Sequence, residues 1–316
     1  MVDLSVDLDG LPLRSPIMPA SGCFAIEYAE ALDFNALGAL VIKSVSPRSR
    51  PGNPTPRVAE TPGGMLNSIG IPSKGLDYFL RHVLPPYLRF DTPVVVSISA
   101  DTVDEFARAA ARVSVPGVAA IEANISCPNL EADGLAFAMD PRTTLAAMQA
   151  VRAETGLPVW AKLTPNVSHV DEIACAAETG GANAVVMGNT VLGMAIDVHT
   201  RKPKLGNVMG GLSGPAIRPI AVRMVYQCHR SVSIPVIGCG GIACAEDVVE
   251  FMLAGASAVQ VGAASFQDPG IMQKITRDLE RFCEATDVAA VRSLTGGVAL
   301  DADLTDGWLR MAQQSG

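Results

Sequence analysis

The chain has 316 residues, a formal net charge of −8, 49% hydrophobic residues and only 5% aromatic ones. This acidity, with no cluster of lysine and arginine, argues against nucleic acid or anionic lipid as a partner. No run approaches the roughly 18 uncharged apolar residues that a membrane-spanning helix needs. Seven scattered cysteines without a Cys-x-x-Cys pair argue against a zinc or iron–sulfur site in this chain, so no metal is expected, and they point to reduced thiols in a cytoplasm.

In chain order, residues 1–10 are acidic and alternating, and read as a short hairpin arm rather than a signal peptide. Short β-branched runs follow, and they predict strands at 15–20, 39–43, 92–97, 118–124, 158–163, 183–188, 235–239 and 258–262. Helices are predicted between them, most clearly at 103–113, 143–155, 170–179 and 245–254. The last is announced by Ala243-Cys-Ala-Glu-Asp and closed by Gly255, a good C-cap residue. Eight alternating units without a break in composition predict one closed (β/α)8 barrel, a TIM barrel, as a single domain over 1–316. An open doubly wound sheet is the alternative. The Pro- and Gly-rich insertion 55–71 after the second strand is too long for an ordinary βα loop and is predicted to cover the barrel mouth, although a packed excursion would read the same way.

The C-terminal strand ends offer, in order, Ser21-Gly22, Lys43-Ser44, Ser97, Asn124, Lys162, Gly188-Asn189-Thr190, Gly240-Gly241 and Gly262-Ala263. A barrel gathers all of these around one mouth, where barrel chemistry is done. Gly238-Cys-Gly-Gly-Ile242 and Val261-Gly-Ala-Ala-Ser265 suit a phosphate, because backbone N–H groups approach an anion closely only where side chains are absent; tight turns alone would also explain the glycines. Lys43 and Lys162 could each pair with a barrel acid, or supply positive charge to a cofactor or anionic substrate. A reduced flavin is one such group.

Asn124-Ile-Ser-Cys127-Pro-Asn129 places a thiol and two amides on the loop after the fourth strand. Cys127 could be an inert thiol, a nucleophile or a general base. The four histidines (His82, His169, His199, His229) all lie away from strand ends, so a base is preferred over a nucleophile. Asn67, Asn124, Asn129 and Asn189 each offer donor and acceptor groups, as a ring of alternating C=O and N–H groups plus a carboxylate would require. Turn and cap roles are the alternative for each one singly.

With these motifs in place, the chain resembles the class 1 dihydroorotate dehydrogenases, FMN-containing barrels of pyrimidine biosynthesis. The likeness runs over nearly the whole length and is densest in Lys43-Ser-Val-Ser-Pro, Gly52-Asn-Pro-Thr-Pro-Arg-Val-Ala-Glu-Thr-Pro, Met65-Leu-Asn-Ser-Ile-Gly, Asn124-Ile-Ser-Cys-Pro-Asn, Ala161-Lys-Leu-Thr-Pro-Asn, Asn189-Thr-Val-Leu-Gly-Met-Ala-Ile-Asp, Gly210-Gly-Leu-Ser-Gly-Pro-Ala-Ile and Gly238-Cys-Gly-Gly-Ile. Cysteine at the base position is similar to class 1, and Asn189-Thr190 with the segment after it is similar to class 1B. That likeness implies a homodimer core, and a heterotetramer with a second subunit that carries FAD and a 2Fe–2S cluster and passes electrons to NAD.

The resemblance implies that Cys127 removes the C5 proton of dihydroorotate while the C6 hydride goes to flavin N5. It implies FMN contacts from Ser21, Lys43, Ser44, Asn124, Lys162, Gly188, Gly214, Gly240, Gly241, Gly262 and Ala263. It places Lys43, Asn67, Ser68, Ile69, Gly70, Ile71, Asn124, Asn129, Asn189 and Thr190 around the substrate. A dehydrogenase of another dihydropyrimidine, such as dihydrouracil, and a non-catalytic FMN-binding subunit are the alternatives. The chain departs from the family pattern at Ser97, where asparagine is usual, at Ile71-Pro-Ser-Lys74-Gly, where Leu-Gln-Asn-Pro-Gly is usual, and at Gly188, where a branched apolar residue is common.

Overall fold

Apolar runs of four to seven residues, each ended by a polar residue or glycine, fold as buried parallel strands because both of their faces find apolar cover. In the computed structural model, which describes residues 2–126 and 136–300, eight such strands form one parallel sheet. They are β1 (Ile17–Pro19), β2 (Leu40–Val45), β3 (Val94–Ile98), β4 (Val118–Asn124), β5 (Val159–Lys162), β6 (Ala184–Met187), β7 (Val236–Cys239) and β8 (Ala256–Val261). Their order is β1-β8-β7-β6-β5-β4-β3-β2, so β1 and β2 are the two ends of the sheet.

Those ends meet. The Gly38 N–H, just before β2, donates to the Ile17 carbonyl at 2.9 Å. A Cβ at residue 38 would lie 2.1 Å from the Ser15 carbonyl oxygen, so only glycine lets the two backbones close the barrel here. The predicted barrel is therefore what the chain forms, and each of the eight predicted strands is present with its ends shifted by three residues at most.

The outer layer is helical: α1 (Val103–Val113), α2 (Pro141–Ala153), α3 (Val170–Thr179), α4 (Arg218–Ser231), α5 (Ala245–Leu253) and α6 (Ile271–Ala285). In α1 the Thr102 hydroxyl accepts from the Glu105 N–H, capping the helix start. Phe106, Ala109, Ala110 and Val113 form its buried stripe, the helical spacing that seats a helix on a sheet. Gly255, at φ +117, ends α5 after Ala254, as its composition predicts. Among the described residues no helix is long and apolar enough to cross a membrane.

Two features lie outside the barrel. Val6–Asp7 pairs antiparallel with Pro12–Leu13, which is the predicted N-terminal hairpin. The insertion after β2 is more ordered than a covering loop. Its strands Val58–Thr61 and Gly64–Asn67 form a hairpin that joins Met209–Ser213 and Val191–Met194 in a four-stranded antiparallel sheet. One face of this sheet is apolar and exposed: Leu192 and Met194 share it, with Met209 directly opposite Met194.

Candidate active site

Parallel register brings the polar strand ends to one level. Asn124, the last residue of β4, lies opposite Lys162, the last residue of β5. Both are almost fully buried. Lys162 Nζ donates to Gln260 Oε1 on β8 at 2.8 Å and lies 3.4 Å from the Ser21 hydroxyl beyond β1. It also stands 3.8 Å from Glu122 Oε2, and Gln260 Nε2 donates to that same oxygen at 2.7 Å. Lys162 thus does pair with a barrel acid, the alternative that its sequence position left open.

A second set of hydrogen bonds runs around the mouth. The Ser44 and Ser97 hydroxyls lie 2.8 Å apart. Asn124 Nδ2 donates to Ser44 Oγ at 3.1 Å, and Asn124 Oδ1 accepts from the Ser126 hydroxyl at 2.6 Å. Ser126 Oγ in turn accepts from Asn189 Nδ2 at 2.5 Å, and Asn189 Oδ1 accepts from the Thr190 N–H at 2.7 Å. One continuous rail therefore links the ends of β2, β3, β4 and β6. Ser97, where the family usually has asparagine, fits by pairing with Ser44 rather than by reaching further into the mouth.

Ser44→Ala is expected to break two links of this rail and leave the fully buried Ser97 hydroxyl without its partner, at a cost of about 1–3 kcal/mol. A urea unfolding midpoint lower than that of the parent at unchanged slope would register it; an unchanged midpoint would show that the rail adds nothing.

The antiparallel sheet carries the remaining substrate candidates. Asn67 Nδ2 donates to the Gly211 carbonyl at 3.4 Å, and a Cβ at residue 211 would meet Thr190 Oγ1 at 1.8 Å. Asn67 and Thr190 are thereby drawn to the same strand. Ser68 accepts from Asn53 Nδ2 at 2.8 Å, while Arg57 Nε holds the Asn53 carbonyl at 2.6 Å. The Asn53 N–H donates to Ile69 O at 3.1 Å. Gly70 packs against Asn53, and Ile71 sits at φ +46, a left-handed conformation that β-branched residues rarely adopt.

Lys43 Nζ donates to the Pro72 carbonyl, and burial holds its ammonium below the usual lysine pKa. A cavity of about 400 Å³ adjoins Lys43 and Ser44, lined also by Phe24, Lys74, Tyr78 and Tyr87. Lys74 is exposed and lies over the Tyr78 ring, 4.4 Å from its centroid.

The glycine loops close the far side. Gly240 and Gly241 have φ +140 and +75, so their turns demand glycine by themselves. Gly214 packs directly on this loop, its carbonyl 2.8 Å from where a Cβ of residue 241 would be. Gly188 and Gly262 differ. Neither lies in the left-handed region, and a Cβ there would come no closer than 3.8 Å to Pro165 or 3.5 Å to Cys23 Sγ respectively. Among the described residues no neighbour asks for glycine at these two positions; a flat ligand lying against the backbone would. Ala263 and the fully buried Ser265 follow, and Ser265 Oγ has no hydrogen-bond partner among the described residues. An open glycine floor, an unspent hydroxyl and a buried ammonium together fit a flavin nucleotide.

Cys127 and Asn129 lie outside the described residues. Ser126, the residue before Cys127, is pinned between Asn124 and Asn189. Sequence reasoning missed Glu122 and Gln260, and held Ser126 and Ser265 only as members of their motifs, with no role of their own. The signal for the first two was there: a glutamate and a glutamine inside otherwise apolar strands, where an unpaired polar group would be costly. Among the described residues no group of three or more metal-binding side chains converges.

Comparison with known proteins places this arrangement. The family model for dihydroorotate dehydrogenase matches residues 3–283. A relative from Desulforudis audaxviator (strain MP104C), named dihydroorotate dehydrogenase B (NAD(+)), catalytic subunit, is 49% identical over 298 residues, covering 93% of this chain and 97% of its own. A protein of the same name from Geobacillus sp. (strain WCH70) is 50% identical over 279 residues, covering 87% of this chain and 89% of its own. Among solved structures, a dihydroorotate dehydrogenase from Eimeria tenella in complex with ferulenol superposes with a TM-score of 0.78 at 21% identity, over 93% of this chain and 88% of that one. At that identity the likeness speaks to the fold.

Proposed function

The chain belongs to the dihydroorotate dehydrogenase family, and we propose that, as a B-type catalytic subunit oxidising dihydroorotate to orotate in pyrimidine biosynthesis, it works with FMN seated across the barrel mouth. The family is flavin-dependent; FMN in particular is our reading. The observation that carries it is the pairing of buried Lys162 and Asn124 on adjacent strand ends, facing a glycine floor at Gly188 and Gly262 whose openness no neighbour among the described residues explains.

Bound there, the flavin would supply the acceptor for the hydride at C6 of the substrate. The chain's own residues do the rest. Lys162 presents its ammonium, anchored by Gln260, to the electron-rich N1–C2=O edge. Ser21, Ser44, Asn124 and Gly188 border the ring. The N–H groups of Gly240, Gly241, Gly262 and Ala263, with Gly214 packed behind them, hold the phosphate. Asn67, Ser68, Ile69, Gly70, Ile71, Asn124, Asn129, Asn189 and Thr190 surround dihydroorotate, and Lys43 answers its carboxylate. Cys127 takes the C5 proton as general base.

The relatives' name, catalytic subunit, implies a partner subunit. We propose that this partner carries FAD and a 2Fe–2S cluster and delivers electrons to NAD, around a homodimer of the present chain. The exposed apolar face at Leu192, Met194 and Met209 supports an assembled state, since lone monomers seldom leave such faces bare.

Anaerobic mixing of the purified protein with dihydroorotate tests the function directly. The flavin absorbance is expected to bleach with dihydroorotate and not with dihydrouracil, which lacks the carboxylate. A bound flavin that stays oxidised would overturn the assignment.

A further inference from the structure

Four charged side chains are buried among the described residues: Glu105, Glu122, Lys162 and Asp247. Glu105 and Asp247 sit on outer helices and face Arg48 and Arg218. Glu122 and Lys162 lie inside the barrel. The strands that carry Glu122 and Gln260, β4 and β8, stand opposite each other with three strands between them on either side. The 2.7 Å bond from Gln260 Nε2 to Glu122 Oε2 therefore crosses the barrel interior just beneath the mouth. Gln260 then accepts from Lys162 at 2.8 Å, so one amide joins the carboxylate to the ammonium. Polar groups this deep are costly unless they are paired, and an apolar layer would close a barrel as well. The charge itself is what an apolar layer could not supply.

We infer that Glu122 is a positioning residue for flavin redox chemistry. Through Gln260 it fixes Lys162 on the Ser21 side of the mouth, and its negative charge offsets part of the ammonium's field and so lowers the reduction potential of the flavin. Lys162 alone would favour the electron-rich reduced form; a carboxylate 3.8 Å from Nζ opposes it. Glu122 Oε1 accepts no hydrogen bond among the described residues, so little else answers this charge. Among the other described groups near the ammonium are the Ser21 hydroxyl and the thiols of Cys23 and Cys239, which carry no opposing charge while protonated. The inference rests on the flavin seat proposed above.

Reductive titration of the flavin-loaded protein against reference dyes reads the effect. Glu122→Gln keeps the acceptor that Gln260 uses and removes the charge. It is expected to raise the two-electron midpoint by about 30 mV, a tenfold change in the equilibrium, and to tighten sulfite binding to the flavin by a similar factor. Glu122→Asp, which keeps the charge, is expected to stay near the parent value. A flavin-replete Glu122→Gln protein with an unmoved or lowered midpoint overturns the proposal. Should that variant not fold, Glu122→Met, which also removes the charge and leaves a side chain that needs no partner, is expected to raise the midpoint, and no rise there overturns it equally. A parent protein that binds no flavin would overturn the seat itself, an outcome separate from an unmoved midpoint.

Discussion

Cys127→Ala is expected to slow the bleaching of bound flavin by dihydroorotate by about 10²–10⁴-fold, the usual worth of a positioned general base, while leaving flavin content unchanged. Two observations single out this residue. Its neighbour Ser126 is held by Asn124 and Asn189 at 2.6 and 2.5 Å, so the root of its loop is fixed at the mouth. Three of the four histidines are elsewhere, with His169 before α3, His199 beyond the antiparallel sheet and His229 near the end of α4, while His82 lines the cavity beside Lys43 from the helical segment after β2. Proton removal by a thiol requires the thiolate, whose share grows with pH. The parent's bleaching rate should therefore rise with pH, and that rise should vanish in the variant. Stopped-flow absorbance across a pH series measures both. A variant that bleaches as fast as the parent would remove Cys127 from the mechanism.

Lys162→Met is expected to cost about 3–5 kcal/mol of stability, because it leaves Glu122 as an uncompensated charge in the barrel interior. For a chain of this size that corresponds to a fall of about 5–15 °C in the unfolding temperature. The double variant Lys162→Met/Glu122→Gln is expected to recover most of the stability and none of the lysine's contribution to flavin reduction. Calorimetry of the two variants separates the structural share of the pair from its chemical share. A single variant as stable as the parent would show that Glu122 holds no charge needing Lys162.

Most of the barrel was legible because parallel strands are buried on both faces and their residues announce it. Val118-Ala-Ala-Ile-Glu-Ala-Asn124 was placed to the residue. The helices α1 and α3 were likewise placed to the residue, α1 because cap and buried stripe agree and α3 by its apolar stripe and the glycine that ends it. The strands of the 55–71 insertion were not legible. They pair with each other across a two-residue turn, but the hairpin is completed only by Met209–Ser213, 144–148 residues downstream, and a pairing across that distance leaves no local periodicity. The same holds within the site. Strand-end residues could be read one by one, but which of them touch is a matter of register and of barrel closure. Glu122 lies opposite Gln260 only because the sheet closes on itself, so neither could be read as half of a pair. The serines at 44 and 97 met in the same way.

That meeting has a consequence for room. The two hydroxyls share one small volume and one hydrogen bond, 2.8 Å long and sealed from solvent. Each hydroxyl uses a hydrogen bond inside the barrel wall, between two of the shortest polar side chains, rather than on whatever fills the mouth. Where the family more often carries a longer amide at 97, this chain keeps its polar contact within the wall, and the floor beside Ser44 and Asn124 gains the room that the amide would take.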